Sequence, residues 1–271
     1  LDVEKWIKDE IFDTVIATTG AGDGFEGYVG GLSELIDIAK GTSVTVLAAI
    51  EASNDTDSTS AVNYSAASNA YYSGADGVFF HTYYPMPKRY PYNYEATGRL
   101  RFMGHPDVIS TKDKRYRLGM HDRLEVTRLN GLPVQLPVEL SPTVKSSDIC
   151  INVADDVKSA YDGGKLWKCE LQIMLPNTTE SDEIDIFWNG EKMPRSIQRY
   201  ADWVYQLRPR PGYAVNGYRI HVNLIDKYLP KIGENIVNVL INKKDEQIVD
   251  PIHIAEVRIA LDYLPHRNAL R

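Results

Sequence analysis

The chain has 271 residues, of which 43% are apolar, so it can bury a sizeable core in one large or two medium domains. Its formal net charge of −7 is spread along the chain, and because no basic face is evident we expect no nucleic-acid partner. No apolar run approaches the ~20 residues that span a bilayer, so we expect no membrane-spanning helix.

Helical and strand patterns alternate over the first 120 residues. In chain order they predict a helix capped by Asp2, a strand over residues 14–17, a glycine-rich loop over 20–31, a helix over 32–40, a strand over 44–50, a third helix, and a strand over 77–80. The run VTVLAAI at 44–50 is continuously apolar, which is typical of a parallel strand buried on both faces. This alternation indicates βαβ units.

Short alternating runs separated by Gly, Pro, Asn and Asp make up the second half. They predict strands over residues 134–140, 147–153, 166–175, 183–188, 218–223, 236–241 and 254–261. The pair Asn189-Gly190 is a strong signal for a two-residue hairpin. Many strands with little helix favour a β-sandwich or jelly roll. We therefore predict two domains, residues 1–120 and 121–271.

Three parallel strands in the first domain allow two architectures. They could form a small open sheet alone, or they could be the last three strands of a (β/α)8 barrel, which needs ~30 residues per βα unit. We favour the barrel, because a barrel followed directly by a β-sandwich is common among glycosidases. The predicted fold class is α/β plus all-β: the last three βα units of a TIM-like barrel, then a jelly-roll-like sandwich.

Several sequence runs resemble a known family. The runs LDVEKWIKDEIFDTVIA, VTVLAAIEAS, SAASNAYYSGADGVFFHTYYP and KDKRY resemble the end of the barrel in the glycoside-hydrolase-like family of bacterial secreted proteins, and IDIFWNGEKM and HIAEVRIALDYL resemble its closing sandwich. The resemblance implies the C-terminal part of a secreted or cell-surface protein that hydrolyses or binds a carbohydrate. The missing barrel strands would come from a companion chain or a preceding segment.

Glu51 is the first candidate for chemistry, because it follows directly on the apolar run at 44–50. The resemblance implies that it corresponds to the nucleophile of a retaining glycosidase, which needs a second carboxyl group ~5–5.5 Å away. That partner could belong to a strand outside this chain, or it could be Asp23 or Glu26 in the glycine-rich loop. Alternatively, Glu51 simply begins an exposed acidic loop.

His81, Tyr83 and Tyr84 follow the strand at 77–80, and strand ends carry ligands in α/β proteins. A histidine can hydrogen-bond a sugar hydroxyl, and tyrosine rings stack on sugar faces. We expect these three residues to bind substrate. The alternative is that the histidine holds a loop and the tyrosines join the two domains.

Other residue types give weaker signals. No His/Cys/Asp cluster has the spacing of metal ligands, so we expect neither a metal nor another cofactor. Asp155-Asp156 could contribute oxygens to a calcium site, but we favour a solvated turn there. Cys150 and Cys169 could form a disulfide or stay as two free thiols. The glycine-rich loop could instead bind phosphate.

Surface aromatics of the second domain could themselves bind carbohydrate, and the candidates are Trp188, Trp203, Tyr205 and Tyr213. Such residues more often fill a core or a domain interface. The alternative function to hydrolysis is a non-catalytic carbohydrate-binding or structural component of a cell-surface assembly, built on a degenerate glycosidase scaffold.

Overall fold

The computed structural model describes residues 2–18, 30–51, 60–81, 100–119, 135–202 and 217–265, with the side chains of residues 30, 51, 81 and 202 excepted. The chain divides into two compact units, Leu1–Tyr116 and Arg117–Arg271. The division falls within one strand, Lys114–Gly119.

Helices and parallel strands alternate in the first unit. Its elements are α1 (Val3–Lys8), β1 (Thr14–Ala17), α2 (Gly30–Ala39), β2 (Thr45–Glu51), α3 (Ser60–Ser73), β3 (Gly77–His81), α4 (Leu100–Met103), α5 (Pro106–Ile109) and the start of β4 (Lys114–Gly119). Strands β1, β2 and β3 form a three-stranded parallel sheet in that order. The side chain of Asp2 accepts a hydrogen bond from the Lys5 backbone N–H, as predicted for the cap of α1.

The core of the first unit lies between one face of this sheet and the helices. Val46, Ala48 and Ile50 of β2 alternate along the strand and belong to one buried cluster with residues of α1, α2 and α3. Helix α3 is buried nearly all round, and its fully buried alanines, Ala66 and Ala67 among them, allow the close approach of neighbouring elements.

The predicted TIM-like barrel is wrong. The described residues contain parallel strand pairs only in the three-stranded sheet, and β1 pairs with β2 alone, so no strand continues the sheet beyond it. Beyond residue 119, the described strands pair antiparallel with one another. A βαβ pattern is the same in an open sheet and in a barrel, because closure depends on distant strands that local periodicity does not encode. The companion chain predicted to complete the barrel loses its basis with it.

Antiparallel sheets form the second unit. Its elements are β5 (Val138–Glu139), β6 (Ile149–Val153), α6 (Val157–Asp162), β7 (Leu166–Pro176), β8 (Glu183–Trp188), β9 (Glu191–Lys192), β10 (Gln198–Asp202), β11 (Gly217–Asn223), β12 (Gly233–Lys243), β13 (His253–Ile254) and β14 (Glu256–Tyr263). The sheet orders are β10-β11-β7-β14-β4, β6-β12-β8-β9 and β13-β5.

The predicted hairpin at Asn189-Gly190 is confirmed. Trp188 pairs with Glu191 across it, and both turn residues have positive φ, 48° for Asn189 and 87° for Gly190. Two positive φ values define the turn whose twist matches that of antiparallel strands, which is why Asn-Gly is favoured there. The hairpin joins β8 to β9 at the edge of the four-stranded sheet.

Candidate functional site

Glu51 and His81 end the two neighbouring strands β2 and β3, where they are partners in the parallel ladder. The structure thus brings these two predicted residues to adjacent positions at the carboxyl edge of the sheet. Their side chains lie outside what the structure describes, and so do Asp23, Glu26 and the predicted substrate contacts Tyr83 and Tyr84. The catalytic role of Glu51 therefore stays a prediction.

Trp188 is not a surface aromatic. It is 2% exposed and its indole Nε1 donates to the Tyr228 carbonyl at 2.9 Å, so it belongs to the core. The alternation of the EIDIFW segment explains this position, because Trp188 falls on the same side of β8 as Ile184 and Ile186, which are also buried. Trp203, Tyr205 and Tyr213 lie outside the described residues.

The aspartates proposed for calcium serve the fold. Asp156 caps α6 by accepting from the backbone N–H and hydroxyl of Ser159, and Asp155 accepts from the Tyr263 hydroxyl at 3.1 Å. Within the described ranges, no group of three or more His, Cys, Asp or Glu side chains could hold a metal ion.

The two cysteines are free thiols on strands of different sheets. Cys150 lies on β6 of the four-stranded sheet and Cys169 lies on β7 of the five-stranded sheet. Burial is the first cause that raises the pKa of the Cys169 thiol well above its ordinary value, with the nearby Glu170 carboxylate as the second. An inert structural thiol is the consequence.

An open cleft of about 450 Å³ lies on the five-stranded sheet. It is lined by Trp167, Lys168 and Glu170 from β7, Arg199 from β10, His221 and Asn223 from β11, and Ile197 from the short 3₁₀ turn before β10. Its volume is within the range of small-ligand sites. The cleft is the candidate functional site.

Strand register explains how these polar residues meet. Arg199 is directly opposite His221, and Asn223 is directly opposite Glu170, so each pair projects from the same face of the sheet. Leu171, which follows Glu170, and Val222, which lies between His221 and Asn223, point to the other face and are fully buried. One face of the sheet thus builds the core of the unit while the other presents the cleft.

A bulge in β7 explains how Trp167 joins the polar row. Against β14, Asp262 pairs with Lys168 but Tyr263 pairs with Leu166, so Trp167 is an extra, unpaired residue. In a regular strand, Trp167 and Lys168 would point to opposite faces. The bulge lets both line one cleft, and Trp167 is 53% exposed there. Bulges re-orient side chains in this way beside functional sites.

Glu170 is the buried anchor of the cleft, with 6% of its side chain exposed. Its Oε2 lies 2.8 Å from Nδ1 of His221 and accepts from Nε2 of Gln172 at 2.7 Å, while Oε1 lies 3.0 Å from the Lys168 ammonium. Burial acts to raise the pKa of Glu170, but the hydrogen bonds from His221, Gln172 and Lys168 prevail and hold it below its usual value.

The ionised Glu170 fixes the orientation of His221. A carboxylate only accepts hydrogen bonds, so Nδ1 of the imidazole carries a hydrogen and donates it. In the neutral ring, Nε2 is then left as an acceptor. Glu170 therefore acts on a ligand mainly through His221, because its side chain is nearly buried and already accepts from three protein donors.

Arg199 is the most accessible charged group of the cleft. Its side chain is 64% exposed, and the ion pair that the structure gives it, to Oε1 of Glu170, spans 3.9 Å. That distance allows electrostatic attraction but is too long for a hydrogen bond. The guanidinium is therefore weakly attracted towards Glu170, and this contact leaves its N–H groups available to a ligand.

Sequence reasoning missed this cleft. Part of it could have been predicted from the alternation of polar and apolar residues in KCELQ and RIHVN, which indicates one polar face on each of these two strands. Neither the register that sets Arg199 opposite His221 nor the bulge at Trp167 is encoded in that alternation.

Comparison with known proteins leaves the family open. No protein-family model matches the chain, and no curated protein matches it. The resemblance to the glycoside-hydrolase-like family stays a prediction. Of the helices that the structure describes, none is long and apolar enough to cross a membrane.

Proposed function

We propose that the protein binds a carbohydrate through the cleft on β7, β10 and β11. The observation that carries this proposal is the exposed indole of Trp167 beside a row of polar groups in a cleft of ligand size. An indole face packs against the apolar face of a sugar ring, and converging polar groups fix its hydroxyls. His221 and Asn223 supply those groups from the neighbouring strand.

The composition of the cleft favours binding over hydrolysis at this position. Glycoside hydrolysis requires two carboxyl groups on either side of the bond. Among the described residues that line the cleft, Glu170 supplies the carboxyl group, and its oxygens already accept from His221, Gln172 and Lys168. This supports the non-catalytic alternative drawn from the sequence.

Binding to a panel of soluble polysaccharides, neutral and acidic, tests the proposal by affinity electrophoresis. We expect retardation by at least one polysaccharide, and we expect Trp167→Ala to lower that affinity about tenfold, as loss of an aromatic stacking partner does. Tyr72→Ala is the matched control, because Tyr72 is a similarly exposed aromatic, 59% accessible, on α3 of the other unit. Equal retardation of the Trp167→Ala variant and the wild type would overturn the proposal.

A second candidate function is hydrolysis of a glycosidic bond with Glu51 as nucleophile. It is supported by the adjacent positions of Glu51 and His81 at the carboxyl edge of the parallel sheet, where open α/β sheets carry their ligands. Glu51→Gln tested on the same polysaccharides decides it. We expect that variant to lose hydrolysis while retaining binding at the cleft, and unchanged hydrolysis would remove Glu51 from the mechanism.

A further inference from the structure

The cleft on β7, β10 and β11 offers many hydrogen-bond donors and few acceptors. Arg199, Lys168 and Trp167 donate and never accept. The oxygens of Glu170 are engaged by His221, Gln172 and Lys168. The accessible acceptors that remain are Nε2 of a neutral His221 and the Asn223 amide oxygen, beside one further lone pair on the nearly buried Glu170. A neutral sugar presents hydroxyl groups that donate as well as accept, so this inventory suits it poorly.

The charges of the cleft also favour an anionic ligand. Among the residues that line the cleft, Lys168 and Arg199 are two cations against the one carboxylate of Glu170, although Asp262 lies opposite Lys168 on the next strand, β14. This excess of positive charge among the lining residues is local, because the whole chain carries −7. A basic patch on an acidic chain attracts an anionic group at short range without making the protein a general polyanion binder.

Arg199 has the geometry to receive that group. It lies on β10, the outer strand of the sheet, and 64% of its side chain is exposed. A guanidinium presents paired N–H groups that match the two oxygens of a carboxylate or sulfate. The 3.9 Å separation from Glu170 is too long for a hydrogen bond, so this contact does not use the donors of the fork.

From these observations we infer that the ligand of the cleft is an acidic carbohydrate whose carboxylate or sulfate pairs with Arg199, while its ring packs against Trp167. The inference rests on the proposed carbohydrate binding and adds the chemical class of the ligand. Lys168 contributes charge, and Glu170 positions His221.

Matched pairs of polysaccharides test the inference. Polygalacturonate is compared with its methyl-esterified form, which has the same backbone without the charge, and dextran sulfate is compared with dextran. We expect one acidic member to bind about tenfold tighter than its neutral counterpart, as a charge-assisted hydrogen bond implies. A preference within the first pair identifies a carboxylate, and a preference within the second identifies a sulfate.

The variant Arg199→Gln isolates the proposed contact. It should lose about tenfold in affinity for the preferred acidic polysaccharide and much less for the neutral counterpart, so that the preference between the two shrinks. Arg101→Gln, which removes an exposed arginine of α4, is the matched control and should change neither. Thermal unfolding of both variants checks that they remain folded.

Two results would overturn the inference: equal binding of the acidic and neutral member in both pairs, or unchanged acidic binding by Arg199→Gln. If binding remains sensitive to Trp167→Ala in either case, carbohydrate binding stands and the acidic class fails. If no polysaccharide binds in a Trp167-dependent way, both fail.

Discussion

Nδ1 of His221 lies 2.8 Å from Oε2 of Glu170, which joins two strands through side chains 51 positions apart in the sequence. Both residues lie on the cleft face of the sheet, where Glu170 is nearly buried at the base of the open cleft. An imidazole held by a carboxylate has one defined orientation towards a ligand. The electrostatics of this pair gives the first prediction.

Glu170→Gln should remove a stabilising contribution that depends on pH. The pKa of Glu170 is held below its ordinary value in the folded protein, so its ionised form stabilises the fold above the unfolded pKa of about 4.3. This contribution is lost as the pH falls through the folded pKa. We expect the variant to be about 1–3 kcal/mol less stable than the wild type near neutral pH.

Chemical denaturation at a series of pH values measures this effect. The difference in the free energy of unfolding between wild type and Glu170→Gln should shrink on acidification below about pH 4. Glu180→Gln, an exposed residue in the loop between β7 and β8, is the control and should change stability little. A difference that stays constant across the series contradicts the account of Glu170.

Lys114 should be a stabilising residue of the first unit. It is fully buried, and its ammonium donates to the backbone carbonyls of Ile109 at 2.5 Å and Lys112 at 3.1 Å, just after α5. Replacement by methionine keeps most of the volume but leaves both carbonyls without this donor. We predict that Lys114→Met lowers the free energy of unfolding by about 2–3 kcal/mol.

The control for Lys114 is Lys40→Met, which removes a surface ammonium that is 72% exposed and paired with Asp37. An exposed pair of this kind contributes at most about 1 kcal/mol. Urea denaturation followed by circular dichroism compares the two variants. Equal losses of stability in both would mean that the buried ammonium has no special role.

Gly190 should tolerate alanine poorly because of its backbone conformation alone. An added Cβ would meet no atom within 4 Å, but the residue has φ of 87°. The left-handed conformation costs a residue with a side chain about 1–2 kcal/mol. Gly190→Ala should lower stability by that amount, as measured by thermal unfolding.

Gly104→Ala is the control that distinguishes the effect of the backbone conformation from the effect of the space available to an added Cβ. An added Cβ at Gly104 would also meet open space, but the φ of this residue is not in the left-handed region. This variant should leave stability unchanged or raise it slightly, because alanine restricts the unfolded chain. A loss as large as that of Gly190→Ala would show that the turn conformation is not the cause.

The features that the sequence predicted correctly are local ones. The strand over 183–188 and the hairpin at Asn189-Gly190 follow from alternation and from turn chemistry, both of which act over a few residues. Trp188 could have been assigned to the core from the same alternation. The number of strands in the parallel sheet could not be predicted from the sequence, because the βαβ pattern of β1 to β3 does not specify what pairs with the free edge of β1.

The candidate cleft was beyond sequence reasoning for a similar reason. Trp167 reaches it through a single extra residue in β7, and a bulge has no fixed sequence pattern. Arg199 and His221 are neighbours because the register of β10 against β11 places them directly opposite each other. A shift of that register by one residue would turn either side chain to the opposite face.

Tryptophan fluorescence during a titration with the acidic polysaccharide that binds best tests the central claim most directly. Trp167 is exposed and contacts the ligand in this account, whereas Trp188 is buried in the core and should not respond. The account predicts that ligand shifts the emission of the wild type and that Trp167→Phe abolishes the shift. An undiminished shift in Trp167→Phe would contradict the claim that this cleft binds the carbohydrate.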